Sequence, residues 1–338
     1  MRKIGRYRKK KQKKILIIGS LSLLLFLCIG YAAFSTNLSI TAKGNIKEKN
    51  YKVEDLKTLV VTSGDGLYID EYENGRYDYR GDNPNNYIWF NDEMWRIISI
   101  ESDNTLKIIK NESIGKIAFD STNARTTGYC YSSEDKGSDP LNGCNAWSAT
   151  NNMVGSPAEF SNGYYSGVVD KDSEMLTYLN GTYLSQIKAN YSTYIVNHNF
   201  NIGAVERGST NLLEQINNEK QYMWNGKIGL ISASDYIRSI VDQNACGTFL
   251  KITTSFIKCN YSSWIYNIVL SVGNLWTISP ARSDTQEKKN DVITIPFDII
   301  GISKGAAGLS NVFPTLFLNS NIVLSGLGTE SNPYKIIS

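Results

Sequence analysis

The sequence of 338 residues contains a single histidine, His198, and no cysteine pair at the CxxC spacing of zinc sites. Neither a Ser or Cys nucleophile motif nor a partnered carboxylate motif lies near His198, so we interpret it as a strand residue satisfied by a hydrogen bond. A catalytic triad and a zinc site both need residue types that are missing here. The sequence therefore predicts no catalytic residue, no metal site and no cofactor.

A complete EF-hand loop is also missing, although carboxylates cluster at Asp170, Asp172 and Glu174. Calcium takes such oxygen ligands, but this segment lacks the glycine and the terminal glutamate of that loop. We interpret the three acids as the solvated first turn of a helix, where they complement the helix dipole. Calcium binding by these carboxylates is the alternative.

Acidic residues are absent from residues 1–14, which hold nine basic residues. The rest of the chain has 26 basic residues (35 less nine) against 32 acidic residues, so the body of the protein is mildly acidic. A mildly acidic body disfavours nucleic acid as a partner, and the basic run is a local signal.

Charged residues are absent from residues 15–34, ILIIGSLSLLLFLCIGYAAF. At about 1.5 Å per residue, a helix over this segment just crosses a hydrocarbon core of about 30 Å. The basic residues before it stay cytoplasmic, so the chain after Phe34 is expected to face outward. A cleaved signal peptide is the alternative, because Gly30 and Ala32 place small residues before a cleavage site. A single-pass membrane anchor is the preferred interpretation.

The domain organisation follows from this signal. Residues 41–56 are charged and poor in apolar side chains, which is typical of a linker, with a short helix starting near Val53. The protein is therefore predicted on the extracellular side of the membrane, or secreted after signal cleavage. The predicted parts are a basic cytoplasmic segment (1–14), a transmembrane or signal helix (15–34), a linker or stalk (35–75) and an extracellular domain (76–338).

Cysteine is scarce, and apart from Cys28 in the apolar segment the cysteines fall into two close pairs. Four cysteines allow three connectivities, and the local one is favoured because each pair brackets a turn-rich loop. An exported protein meets an oxidising environment, so disulfides are preferred over a zinc site. Each such loop closure contributes about 3 kcal/mol. The predicted disulfides are Cys130–Cys144 and Cys246–Cys259.

Residues 87–110 predict three consecutive strands, and the rest of the body is expected to pack on this meander. β-Branched and aromatic residues dominate it, and Asn91-Asp92 supplies the positive φ of a two-residue turn. Ser102-Asp103-Asn104 marks the second turn. Further along, Ser173 is a predicted helix N-cap and residues 232–235 form a capping signal. Short strands mixed with a few helices predict one strand-rich domain of the α+β class.

Seven stretches of the body carry motifs that are specific in combination. They are YRGDNPNNYIWFNDEMWRIISIESDNTLKIIKNESIG (79–115), GYC…GCNAW (128–147), YIVNHNFNIGAV (194–205), WNGKIGLISASDYIRS (224–239), CGTF…CNYSSW (246–264), LWTISP (275–280) and GLGTESNPYKI (326–336). Together they resemble a family of uncharacterised extracellular domains common in Firmicutes and their relatives. That family has no established activity, so the resemblance implies an extracellular domain and no catalytic role.

Two further resemblances concern the ends of the chain. The Trp-x-x-Ser-Pro strand at residues 276–280 is distantly similar to the C-type-lectin-like fold shared with formylglycine-generating enzymes. Val312-Phe313-Pro314 departs from that pattern, which has an Arg-Pro step at this point. The segment GYAAFSTNLSITAKGNI (30–46) resembles the amino-terminal export segments of Gram-positive surface proteins.

Aromatic residues in loop-like sequence are the candidate ligand contacts, because their faces stack on sugar rings and anchor protein partners. Trp89 and Trp264 are further exposed candidates, whereas Trp95 and Trp276 are expected in the core. The sequence thus predicts a non-catalytic binding module, adhesin- or lectin-like, for an extracellular glycan or protein. A structural or assembly subunit of the cell envelope is the alternative, ahead of an oxidase- or hydrolase-type enzyme. The predicted ligand contacts are Trp147, Tyr164, Tyr165 and Trp224.

Overall fold

The computed structural model describes nine ranges of the chain: residues 49–121, 143–149, 153–154, 171–206, 212–243, 262–270, 272–282, 291–295 and 303–337. The chain divides into two units, and the second, Glu48–Ser338, contains all of these ranges. The predicted span at 15–34 lies outside them. Within them, no helix combines the length and the apolar character needed to cross a bilayer.

Short strands make up most of the regular structure. The meander predicted for residues 87–110 is confirmed, with both of its turns where the sequence indicates. In chain order the strands are β1 (Tyr51–Lys52), β2 (Gly66–Ile69), β3 (Tyr77–Arg80), β4 (Tyr87–Phe90), β5 (Glu93–Ile100), β6 (Leu106–Lys110), β7 (Lys116–Ala118), β8 (Met153–Val154), β9 (Ile195–Val196), β10 (His198–Asn201), β11 (Val205–Glu206), β12 (Met223–Gly226), β13 (Ile228–Gly229), β14 (Leu275–Arg282), β15 (Asp291–Ile295), β16 (Ser303–Gly305), β17 (Leu309–Asn311), β18 (Thr315–Leu318), β19 (Val323–Ser325) and β20 (Tyr334–Ile336).

The helices are short, and their starts follow the predicted caps. The Ser173 hydroxyl accepts a hydrogen bond from the Leu176 backbone N–H. Ser232 and Asp235 form a reciprocal capping box. The helices are α1 (Val53–Leu56), α2 (Glu174–Tyr178), α3 (Ala189–Ser192), α4 (Leu212–Lys220), α5 (Ala233–Arg238) and α6 (Trp264–Leu270), with 3₁₀ turns at Lys57–Leu59 and Leu184–Gln186 and a π turn at Leu179–Tyr183.

Three sheets are present in the described residues, and the meander lies in the largest. Its main path runs β1-β19-β20-β4-β5-β6-β18-β13, with β2, β3 and β9 on branches. A second sheet has the order β10-β12-β8, and a third runs β16-β15-β14-β17-β7 with β11 beside β14. This arrangement is strand-rich and mixed, so the predicted α+β class is confirmed.

The central strands of the large sheet are buried on both faces. Ile97 and Ile108 belong to one hydrophobic cluster, whereas their neighbours Ile98 and Ile109 belong to a second. The second cluster also contains apolar residues of α5, α6, β14 and β15. Burial on both faces explains why apolar residues stand next to one another in both strands, at Ile97-Ile98 and Ile108-Ile109, rather than alternating with polar ones. One element of this second side, α6, helps to form the cleft described below.

The chain between Tyr51 and Ile69 belongs to the domain, which corrects the predicted linker at 35–75. Tyr51 in β1 pairs with Leu324 in β19, and Val53 and Leu56 are fully buried. The helix predicted near Val53 is confirmed. Charged residues alternate with the buried ones in this segment, and such a short amphipathic stretch resembles a linker when only its composition is considered.

Candidate functional site

Two predicted ligand contacts, Trp147 and Trp224, lie in the core. Their side chains are 0% and 3% exposed, and their ring centroids are 5.6 Å apart in a T-shaped contact. Phe119 packs against Trp147, and Phe200 packs against Trp224. A ring buried in this way presents no face to a ligand, so the structure corrects the prediction of surface contacts at these two positions. The core positions predicted for Trp95 and Trp276 are confirmed.

Most of the other predicted residues lie in parts of the chain that the structure does not describe. Cys144 is described, and it is buried. The two disulfides and the two tyrosine contacts therefore stay predictions. The residues concerned are Tyr164, Tyr165, Cys130, Cys246 and Cys259.

His198 lies in β10, the strand setting that the sequence predicts. Its ring stacks on Phe317 with 3.9 Å between centroids. The Nε2 atom lies 3.4 Å from the Asp103 carboxylate, at the turn between β5 and β6. The imidazole thus packs on an aromatic ring and contacts one acid.

The acids considered as calcium ligands are engaged by the protein where they are described. Asp172 accepts hydrogen bonds from the Ser148 hydroxyl and the Ala149 backbone N–H. Glu174 accepts from the backbone N–H and hydroxyl of Ser121. Asp170 lies outside the described ranges, and within those ranges no group of three metal-ligating side chains occurs.

A cleft of about 510 Å³ opens where the loop of residues 81–86 meets β5 and the first turns of α6. We call it the Arg96 cleft, after the residue whose chemistry sets it apart. Side-chain amides, two carboxylates, two aromatic rings and one guanidinium group contribute to its walls. The lining residues are Asp82, Asn83, Tyr87, Arg96, Asn111, Glu112, Trp264, Asn267 and Ile268.

The loop that forms one wall is held in place by Asp65. Its carboxylate accepts the backbone N–H groups of Asp82 and Asn83, each at 2.9 Å. Gly81 has a φ of +111°, and a Cβ atom there would lie 2.1 Å from the same carboxylate, so only glycine fits. The Gly81 carbonyl in turn accepts the Trp264 N–H at 2.6 Å. The wall is therefore fixed to α6 before any ligand arrives.

Arg96 extends from β5 toward this loop, and its side chain is almost completely buried, since the residue is 4% exposed. Its Nε donates to the Asn86 Oδ1 at 2.5 Å. Its Nη2 donates to the Asn83 Oδ1 at 3.4 Å and to the Pro84 carbonyl at 3.3 Å. All of these acceptors are neutral, so they orient the guanidinium group without cancelling its charge.

Aromatic rings cover the guanidinium group of Arg96. Its central carbon lies 3.7 Å from the centroid of the Tyr87 ring and 4.9 Å from that of Trp264. Burial lowers the pKa of Arg96 to about 10, partly opposed by Tyr87 and Glu330. Arginine nevertheless stays protonated at neutral pH, so the cleft holds a buried cation that is stabilised by cation–π contacts.

The other buried arginines differ from Arg96 because each of them faces carboxylates. Burial of a charge is costly unless an opposite charge or several hydrogen bonds compensate it. Among the described residues, Arg96 has no carboxylate partner. The paired arginines are Arg76 (Asp78, Glu101 and Asp235), Arg80 (Asp70 and Glu71) and Arg238 (Asp70 and Glu73).

Trp89 extends the surface beside the cleft. In the register of β4 and β5, Tyr87 pairs with Arg96 and Trp89 pairs with Met94. Side chains two residues apart on a strand point to the same face, about 7 Å from one another. Trp89 is 36% exposed, so this ring remains available next to the covered Tyr87. The predicted exposure is confirmed for Trp89, and its role as a ligand contact stays a prediction. Trp264 is fully buried behind the cleft wall, which corrects the exposure predicted for it.

Sequence reasoning missed Arg96 as a site residue, although a signal exists. A single arginine stands within an apolar run of β5, between Met94-Trp95 and Ile97-Ile98. A charge within such a run must be paired or must open to a cavity. The asparagine-rich turn at residues 83–86 gives the second signal, since amide side chains orient buried charges through hydrogen bonds.

Comparison of the chain with protein-family models, with curated proteins and with solved structures finds no match. The resemblance to extracellular domains of Firmicutes therefore stays a prediction from the motifs quoted above.

Proposed function

We propose that the protein is a non-catalytic binding module, adhesin- or lectin-like, which recognises an extracellular glycan through the Arg96 cleft. One combination of features carries this proposal. The cleft is polar and prearranged, its walls present exposed and half-buried amides, and an exposed tryptophan, Trp89, lies beside it. Amide side chains supply both donors and acceptors for sugar hydroxyls, and aromatic faces stack on sugar rings. A fixed loop keeps the ordering cost of binding low.

The proposal includes the location and the finer fold of the domain. The apolar segment at 15–34 and the basic residues before it support an anchor or export signal, which would expose the cleft to the outside of the cell. The motif at residues 276–280 supports a C-type-lectin-like variant of the α+β class. Protease treatment of intact cells tests the location, because an outward-facing domain is degraded while cytoplasmic proteins are not.

The experiment that tests the function measures binding of the full-length protein, in mild detergent, to a glycan array and to purified cell-surface polysaccharides. Trp89→Ala removes a contact beside the cleft, and Asn111→Ala removes a contact within it. We expect each to weaken binding of a glycan hit about tenfold, the usual effect of losing one stacking or hydrogen-bonding contact. Leu213→Ala is the matched control, because Leu213 is an exposed apolar residue of α4 outside the cleft.

Two results would count against the proposal. The first is the absence of any glycan that binds above background. The second is a glycan that binds equally well to the wild type and to both cleft variants, since it would then occupy another surface. Thermal unfolding of each variant confirms that the fold is retained, which is expected because neither side chain is buried.

A further inference from the structure

Arg96 is a buried cation in this cleft, and it forms no salt bridge with any carboxylate of the described residues. The Nε and Nη2 atoms of Arg96 are occupied by Asn86, Asn83 and the Pro84 carbonyl, whereas Nη1 makes no hydrogen bond to a described residue. The Nη1 atom is not one of the fully buried polar atoms that lack a hydrogen-bond partner, so it is open to solvent. Because the residue lines the cleft, Nη1 is the donor that remains for a ligand. An anionic group would supply the missing charge.

The rim of the cleft limits the charge of this ligand. Asp82 and Glu112 line the opening with exposed carboxylates, and Glu330 lies close enough to act on Arg96. These acids repel additional negative charge. A phosphate monoester, at about −1.5 to −2, is therefore disfavoured against a carboxylate with a single charge.

The remaining lining distinguishes a sugar acid from a peptide terminus. Peptide carboxylates are captured by clusters of backbone N–H groups. Here the N–H groups of Asp82 and Asn83 already donate to Asp65. The side chains of Asn111 and Asn267 are half-exposed on the cleft wall. The Asn267 Nδ2 already donates to Asp82, so the Asn111 amide and the Asn267 Oδ1 are the groups that suit hydroxyls. The chemistry of the cleft thus favours a carboxylate on a hydroxylated ring.

We propose that the Arg96 cleft binds the carboxylate of an acidic sugar residue, with Arg96 as its charged contact and the asparagine amides as its hydroxyl contacts. This inference rests on the proposed function, because it names the ligand class for the same cleft. It adds a requirement for charge that a neutral glycan does not meet.

The test compares galacturonate, which carries one negative charge, with its neutral methyl ester. Calorimetry with the full-length protein should give an affinity for the acid at least about tenfold above that for the ester, as expected for one hydrogen-bonded charge. Arg96→Gln should remove this preference, so that acid and ester bind the variant with the same affinity. Lys116→Gln is the control, because it removes one exposed positive charge outside the cleft and should leave the preference intact.

A second variant keeps the guanidinium group in case Arg96→Gln fails to fold. Asn86→Asp replaces the neutral oxygen that accepts from the Arg96 Nε with a carboxylate of the same size. The change also removes the hydrogen bond that the Asn86 Nδ2 donates to the Ile97 carbonyl, so the fold of this variant has to be checked as well. The cation then has an internal partner, so the preference for galacturonate over its ester should also be lost. Circular dichroism and thermal unfolding show whether each variant is folded.

The outcomes separate this inference from the proposed function. Equal affinity for acid and ester, with loss of both on Trp89→Ala, would overturn the charge requirement and leave a glycan-binding module. Tighter binding of galactose 6-phosphate than of galacturonate would overturn the choice of carboxylate, and so would a preference that survives both Arg96→Gln and Asn86→Asp. If no glycan of either kind binds, the proposed function falls together with the inference.

Discussion

Asp78 lies in a buried cluster that holds more carboxylates than cations. Arg76 contacts Asp78, Glu101 and Asp235 at 2.9 to 3.1 Å, and Lys107 contacts Asp235 at 2.6 Å. Three acids thus share two cations, and one oxygen of Asp78 has no hydrogen-bond partner among the described residues. Burial raises the pKa of Asp78 to about 6, against the opposing effect of Arg76. Below about pH 6, a proton on this side chain relieves the excess negative charge.

The proton on Asp78 makes stability depend on pH in a defined window. The unfolded chain releases this proton near pH 3.9, whereas the folded protein holds it to about pH 6. The free energy of unfolding contributed by Asp78 is therefore fully present below pH 4 and is lost as the pH rises to 6. We expect Asp78→Asn to remove up to about 3 kcal/mol of this decrease, because an amide does not titrate.

Urea unfolding at several pH values between 4 and 7 measures this effect. Subtracting the wild-type profile from that of Asp78→Asn cancels the contributions of the other titrating groups. The variant should gain stability relative to the wild type as the pH rises through the window. Parallel profiles for the two proteins would show that Asp78 is ionised throughout.

At the scale of elements, the turn between β4 and β5 shows which features are encoded locally. Asn91 and Asp92 have φ angles of 56° and 60°, the conformation that a two-residue hairpin turn requires. The Asn91 side chain also accepts the Lys188 backbone N–H at 2.9 Å. The residue therefore contributes both a tolerated backbone conformation and a contact to the segment before α3.

A pair of substitutions separates the two contributions of Asn91. Asn91→Ala and Asn91→Gly both remove the acceptor for Lys188, but only alanine is strained at a positive φ. We expect the alanine variant to be less stable than the glycine variant by about 1–2 kcal/mol in urea unfolding. Equal stabilities would mean that the side-chain hydrogen bond, and not the backbone conformation, accounts for asparagine at this position.

The elements that the sequence predicts correctly are those whose signals are local. The turn at Asn91, the N-cap at Ser173 and the capping box at Ser232 each depend on steric or hydrogen-bonding preferences within a few residues. Pairing between distant segments has no such signal. The parallel contact of Tyr334 in β20 with Ile88 in β4 joins the two ends of the domain, and no turn residue marks it.

At the scale of the whole molecule, burial decides the identity of the site, and burial is a collective property. Trp147 stands in polar, loop-like sequence, yet Phe119 and Trp224 enclose it. Arg96 stands among apolar residues of β5, yet the loop at 81–86 and α6 leave the end of the arginine side chain open to a cleft. Local composition points the opposite way in both cases, so only the assembled fold distinguishes a core aromatic residue from a ligand contact.

The extent of the folding unit follows from the same collective burial. Residues 51–69 contribute β1, α1 and β2, and β1 covers the edge of β19. Four of their apolar side chains are buried in the larger cluster. Each buried side chain of this size contributes about 1.5–3 kcal/mol, whereas a whole domain is stable by only about 5–15 kcal/mol. The four buried residues are Tyr51, Val53, Leu56 and Leu67.

Two fragments test this boundary directly. A fragment of residues 49–338 keeps every described element, whereas one of residues 76–338 loses β1, α1 and β2 and leaves β19 as an unpaired edge. We expect the longer fragment to unfold in a cooperative thermal transition. The shorter one should lack that transition or aggregate, because the loss approaches the total stability of a domain. A cooperative transition at the same temperature in both would show that the segment before residue 76 packs on a domain that folds without it, as a linker would.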